Sequence, residues 1–214
     1  EYDYHSSGDL KSITDPLNNT VTYSNYMRGT PTSESHPEGV SLSRSVNSTG
    51  TINSETNANG DITRYDYDDA NRITAIYHPL NENVFISYGV DTKILTRGAF
   101  KHTRNYDSLG RSLSDVYSDS TTGQTVKKTY TRDARGSVIF ESNPASTTTT
   151  IGRHHEYDGL GRRTQTTQQD GSIYKIDYND LEQVHTDELA RETSYSYVSF
   201  GLGGEMLYEV IQPD

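Results

Sequence analysis

Among its 214 residues the chain has no cysteine and no tryptophan, only two methionines and four phenylalanines. Without cysteine there is no disulfide and no thiolate to ligate a metal or act as a nucleophile. That absence fits an extracellular protein as well as a cytosolic one and names no compartment. No apolar run approaches the roughly 18 residues that a membrane-crossing helix needs. Leu, Ile, Val and Phe together supply 39 residues, under a fifth of the chain, while the formal net charge is -11. Few aliphatics with high charge is normally the mark of disorder. The acidic balance also disfavours nucleic acid and anionic membrane as partners. Arg162-Arg163 and Lys127-Lys128 are isolated basic pairs, not a patch. The chain opens at Glu1 without a signal peptide and stops at Val210-Ile211-Gln212-Pro213-Asp214 in mid-pattern. It is therefore expected to be a piece of a longer polypeptide, with targeting information absent rather than negative.

What is present is tyrosine, 17 residues of it. A tyrosine buries a large ring while satisfying its hydroxyl, so a tyrosine core can replace an aliphatic one. The pattern of the tyrosines argues for order. Tyr65/Tyr67, Val84/Ile86/Tyr88, Tyr174/Ile176/Tyr178 and Tyr195/Tyr197 recur at period two, as on one face of a strand. After the last of them comes Asp at position i and Gly or Asn at i+3, often with Arg at i+4. The clear copies are Tyr67-Asp68-Asp69-Ala70-Asn71-Arg72, Tyr106-Asp107-Ser108-Leu109-Gly110-Arg111 and Tyr157-Asp158-Gly159-Leu160-Gly161-Arg162. Asp at i with Gly or Asn at i+3 is the signature of a type I turn. A second short strand follows, such as Ile73–Ile76 or Leu113–Val116, and several units then meet a proline, which cannot donate to a ladder. With Tyr4, Tyr67, Tyr106, Arg132, Tyr157 and Tyr178 as anchors, the period is about 20 residues, within the range of repeat architectures. The expectation is about ten irregular units over 1–214, degenerate between 24 and 60. A lone hairpin is marginal in water, so the units should stack and bury their tyrosine rows. Leu181–Arg191 is the one helix candidate, weakened by its Asn, His and Thr neighbours.

The motif residues Tyr65, Tyr67, Asp68, Asn71, Arg72, Tyr106, Asp107, Gly110, Arg111, Tyr157, Asp158, Gly161 and Arg162 resemble the YD repeats of bacterial Rhs proteins, of toxin-complex B and C components and of teneurins. The resemblance implies an all-β fold of stacked antiparallel hairpins, a curved or spiral sheet forming part of a shell. It implies a scaffold that encapsulates or displays a toxin or effector domain, secreted or on a bacterial cell surface. The implied partners are the remaining repeats and the C-terminal domain of the parent protein. Rhs cores end near an Asp-Pro-x-Gly region associated with self-cleavage. Asp15-Pro16-Leu17-Asn18 lacks that glycine and sits at the other end, so no protease activity carries over.

Other constellations carry less chemistry. Asp66, Asp68, Asp69 and Asn71 loosely suggest a calcium loop but lack its central glycine and distant glutamate, and read as a turn. His154 and His155 are adjacent in a strand and should face opposite ways, which argues against a shared metal. No carboxylate pair stands out for glycoside hydrolysis, and no nucleophile elbow is present. The motif arginines should pair with the turn Asp of a neighbouring repeat or stack on a tyrosine ring. The expectation is thus a non-catalytic protein without cofactor or metal. The alternative is a carbohydrate-binding or cell-surface adhesion module, with exposed tyrosines beside Asp or Asn as its mark. Unpaired edge strands would permit an edge-to-edge homodimer. Gly161, in the turn, should tolerate substitution less well than Gly123, in an inserted loop.

Overall fold

The computed structural model describes residues 1–199, 201 and 204–212. The chain divides into two compact units, Glu1–Lys101 and His102–Asp214. The first holds β1 (Tyr2–Tyr4), β2 (Leu10–Thr14), β3 (Thr20–Met27), β4 (Thr30–Ser35), β5 (Ser41–Val46), β6 (Ile52–Thr56), β7 (Ile62–Tyr67), β8 (Ile73–Tyr77), β9 (Val84–Tyr88) and β10 (Thr92–Arg97). The boundary falls within β11 (Phe100–Tyr106). The second unit continues with β12 (Ser112–Asp119), β13 (Thr125–Arg132), β14 (Val138–Ser142), β15 (Gly152–Tyr157), β16 (Arg163–Thr167), β17 (Ile173–Asn179), β18 (Glu182–Thr186), β19 (Glu192–Ser199) and β20 (Glu205–Ile211).

Each unit is an antiparallel meander: successive strands pair from β1 to β10 in the first and from β12 to β20 in the second, as β5 with β6 and β7 with β8, or β15 with β16 and β17 with β18. The cause is local. Strands of three to eight residues alternate in side-chain direction, and the connections are rich in residues that turn tightly. Among the described residues the only helical turn is a 3-10 turn at Pro37–Gly39. The stretch 181–191 instead forms β18 and a turn, because its alternation suits a strand and Asp187 initiates a reversal.

The core departs from expectation. Val46 and Ala75 are the only buried apolar side chains among the described residues, whereas Ser114, Asp115, Ser142, His155 and Thr166 are buried and polar. Tyr65, Tyr67, Tyr106, Tyr157 and Tyr178 are half-buried, not buried. Cohesion therefore comes from hydrogen bonds and paired charges across strands more than from apolar burial.

Candidate functional site

The repeated element is a five-residue turn. In the turn opened by Asp68, the Asp68 amide donates to the Arg72 carbonyl at 3.0 Å and the Asn71 amide donates to the Asp68 carbonyl at 2.9 Å. This is a type I turn followed by a residue in the left-handed region, the three-residue hairpin loop with a bulge. Among the described residues the same two bonds recur in ten turns, opening at His5, Asp15, Asn47, Asn57, Asp68, Asp107, Asp133, Asp158, Gln168 and Asp187. The left-handed residue is Gly in seven of them, Asn18 and Asn71 in two, and Ala190 in the last, at φ 62°. Glycine predominates because a Cβ there meets the chain's own carbonyl.

The acidic residue acts through its side chain. Oδ1 of Asp158 accepts from the Leu160 and Arg162 amides, both at 2.9 Å, and Oδ2 accepts from Arg162 Nε at 2.7 Å. Asp68, Asp107 and Asp187 make the same three bonds with Arg72, Arg111 and Arg191. The motif arginine thus pairs with the Asp of its own turn, not with that of a neighbouring repeat as the sequence suggests. Four residues of tight turn bring the guanidinium back over the carboxylate. The Arg72 side chain and amide hold the Asp68 carboxyl below its ordinary range. The Arg111 amide leads the same effect on Asp107. At Asp158 desolvation pushes upward, but the Arg162 amide and side chain outweigh it.

The motif tyrosine joins one hairpin to the next. Register slips at each bulge, as between Tyr67↔Ile73 and Asp66↔Ala75, or Tyr157↔Arg163 and Glu156↔Gln165. The slip leaves the carbonyl of the first residue after the turn without a ladder partner. The next repeat's tyrosine hydroxyl donates to it: Tyr26 to Leu10, Tyr67 to Ile52, Tyr88 to Ile73, Tyr157 to Val138 and Tyr178 to Arg163, at 2.5 to 3.2 Å. Arg132, which stands at a tyrosine anchor, substitutes chemically by donating from Nη2 to the Ser112 carbonyl at 3.3 Å. The guanidinium of Arg72 lies 4.2 Å over the Tyr88 ring and that of Arg162 4.2 Å over Tyr178. One Asp, one Arg and one Tyr therefore tie turn, bulge and neighbouring strand into a single connection.

Across the tyrosine-bearing face run paired charges that are not evident in the sequence. In the second unit Asp115, 1% exposed, accepts from His102 Nε2 at 2.6 Å, Arg104 Nε at 2.7 Å and Tyr130 Oη at 3.1 Å. The His102 and Tyr117 rings stack at 4.5 Å. Burial raises the Asp115 pKa, but the Arg104, His102 and Tyr130 donors outweigh it and hold the group ionised below the usual carboxylate range. Glu141 lies between Lys128 and Arg153. In the first unit Arg44 bridges Glu34 and Glu55. Only cross-strand register brings these residues together, so no motif signals them.

His154 and His155 do point to opposite faces. His154 packs on Phe140, while the buried His155 faces Thr166 Oγ1 at 3.0 Å. Asp68 is engaged in its turn, and no cluster of metal-ligating groups occurs among the described residues. Gly123 and Gly161 both lie in the left-handed region, at φ 68° and 80°, so the expected difference between them has no backbone basis.

With this geometry in view, a family model described as RHS Repeat matches residues 47–82, a stretch holding the turns at 47, 57 and 68. Residues 47–82 are thus similar to an Rhs repeat, and part of the stretch expected to be degenerate lies inside the match. No curated protein matches. Among solved structures, the crystal structure of TcdB2-TccC3 without its hypervariable C-terminal region aligns with a TM-score of 0.55 at 14% identity. The alignment covers 92% of this chain and 15% of that one, so the likeness is one of fold and this chain spans a small part of the relative's length. The TcdB2-TccC3-Cdc42 structure (11% identity, TM-score 0.39) and the Tc holotoxin pore of Photorhabdus luminescens (12%, 0.38) cover the same shares, with overlap too slight to carry an argument.

Proposed function

We propose that this chain is a non-catalytic segment of an Rhs-repeat shell that encloses or displays a toxin or effector polypeptide in a secreted toxin-complex protein. The observation that carries the reading is the tie between successive hairpins, in which Tyr26, Tyr67, Tyr88, Tyr157 and Tyr178 each close the bulge of the preceding repeat. Such a connection propagates a sheet from one hairpin to the next, which suits a wall. Its polar groups are engaged with one another: the turn aspartates with arginines, Asp115 with three donors. The fold it shares with a toxin-complex structure supports the same role. The test is protease protection in the full polypeptide that carries these repeats, with an epitope placed in its C-terminal domain. Protection of the epitope until the repeats are unfolded by urea is the expected result. Cleavage at the rate of the isolated C-terminal peptide would refute enclosure.

A further inference from the structure

Where a tyrosine ties one hairpin to the next, the register is fixed. Ser54↔Arg64 puts Ile52 opposite Asp66, and the following Tyr67 donates to the Ile52 carbonyl. Phe140↔His154 puts Val138 opposite Glu156, and Tyr157 donates to Val138. Gln165↔Lys175 puts Arg163 opposite Asp177, and Tyr178 donates to Arg163. Each accepting residue is the one paired across the bulge of its own hairpin, in Val46↔Ile52, Arg132↔Val138 and Tyr157↔Arg163. A junction therefore has an acceptor half, set by the bulge, and a donor half, an acid followed by tyrosine.

One half of each kind stands open. Among the described residues β20 pairs with β19 and with no other strand. Tyr197↔Leu207 shows the same slip in register, so Leu207 is the counterpart of Ile52, Val138 and Arg163. The Tyr197 amide turns to the other side, where it meets the Leu181 carbonyl at 2.7 Å. Ser196 and its partner Glu209 therefore face each other, and the intervening Tyr208 turns its backbone outward. Leu207 and Tyr208 are 52% and 74% exposed. β1 in turn pairs with β2 alone and carries the donor half, Asp3-Tyr4. Tyr4 is 58% exposed, and its hydroxyl has no partner among the described residues. Glu1 and Thr14 exchange two backbone bonds at 2.7 and 2.9 Å, which turns the Tyr2 amide and carbonyl away from β2.

We infer that the free edge of β20 is a docking site for β1 of a second copy of this chain, and that copies join head to tail in the register of the internal junctions. Leu207 then stands opposite Asp3, Tyr208 exchanges two backbone bonds with Tyr2, and the Tyr4 hydroxyl donates to the Leu207 carbonyl. Two β20 edges laid together would leave both Leu207 carbonyls without a tyrosine, and two β1 edges would lack a bulge carbonyl. The contact is therefore heterologous, and association does not stop at two copies. Glu1 faces Glu209 in this register, a like-charge pair that keeps the association moderate. The inference concerns the two edges and is independent of what the sheet encloses.

The test is sedimentation velocity of the 214-residue chain between about 1 and 100 μM. The mean mass should rise with concentration and pass that of a dimer. Tyr2→Pro and Tyr208→Pro each withdraw an outward amide from one edge. Each variant should stay monomeric alone, and an equimolar mixture should stop at a one-to-one dimer through the two intact edges. Tyr4→Phe should weaken association of the otherwise unchanged chain about fivefold. Its urea midpoint at high dilution should not move, because the hydroxyl serves nothing within one copy. A monomer at every concentration would overturn the inference. So would self-association of Tyr2→Pro alone, which would mean β20 pairing with itself, or a Tyr4→Phe chain that associates as tightly as the parent. A mixture of the two proline variants that stays monomeric while both keep the circular dichroism of the parent would overturn it as well.

Discussion

Nine of the ten recurrent turns place Gly or Asn in the left-handed position, and one places Ala190 there at φ 62°. An L-residue other than glycine pays about 1–2 kcal/mol for that conformation. Replacing it with glycine relieves that strain but gives the unfolded chain more freedom, which costs back roughly 0.5–1 kcal/mol. Ala190→Gly should therefore stabilise the second unit by about 0.5–1 kcal/mol. The converse, Gly161→Ala, should destabilise by a similar amount. At Gly161 an added Cβ meets nothing within 4 Å, so the penalty there is purely conformational. Urea unfolding followed by far-UV circular dichroism and tyrosine fluorescence reads both changes, because 17 tyrosines report without interference from tryptophan. The midpoint should rise for Ala190→Gly with an unchanged slope, since buried surface does not change. Amide exchange should slow most in β18 and β19, which the turn joins, because repeat arrays open locally. A neutral or destabilising Ala190→Gly together with a neutral Gly161→Ala would refute the turn geometry and the register built on it.

Tyr178→Phe removes the hydroxyl that closes the Arg163 carbonyl and should cost about 1 kcal/mol in urea unfolding; an unchanged midpoint would mean that water serves the bulge equally well. Asp115→Ala strips three donors of their shared acceptor and should cost on the order of 2 kcal/mol, less than for a fully buried pair because the part-exposed Arg104 can be solvated once freed; a loss under about 0.5 kcal/mol would show the network to be ornamental. Stability should fall as pH drops below about 6.5, because burial holds His155 and His185 below the ordinary histidine range. Above that pH both states are neutral; below it the unfolded chain takes up protons that the folded chain refuses. The turn aspartates, depressed by their arginine and amide donors, add stability above about pH 4 that is lost as pH falls further. A flat urea midpoint between about pH 7 and 5, or a fall that His185→Gln leaves untouched, would contradict the assignment.

The hairpin repeat was readable because its determinants are local. Asp at i, Gly or Asn at i+3 and Arg at i+4 lie within one turn, and period-two tyrosines mark the strand before it. Copies opened by Asn47, Asn57, His5 and Gln168 are harder to see. The Asn57 amide oxygen accepts from Asn59 and Asp61 just as a carboxylate would, but asparagine is common and gives no ionic signature. The same turn also closes connections between hairpins, at Asp15, Asn57 and Gln168, so spacing alone does not fix the register. Arg132 could be placed as an anchor but its role could not, because the carbonyl it serves lies 20 residues back. His102, Arg104, Asp115 and Tyr130 come from three strands and meet only through pairing. The tyrosine rows were expected to be buried by analogy with apolar cores. Here Tyr26, Tyr67, Tyr88, Tyr157 and Tyr178 spend their hydroxyls on bulge carbonyls, and the rings stay partly accessible.

The most direct test of the scaffold reading is an electron cryomicroscopy reconstruction of the full polypeptide that carries these repeats. The account predicts that β1 and β20 each gain an antiparallel neighbour, with the Asp-x-x-Gly turns and tyrosine ties continuing beyond this segment into a closed wall with density enclosed. A reconstruction with β1 and β20 left as free edges, and the C-terminal domain lying outside in open solvent, would contradict it.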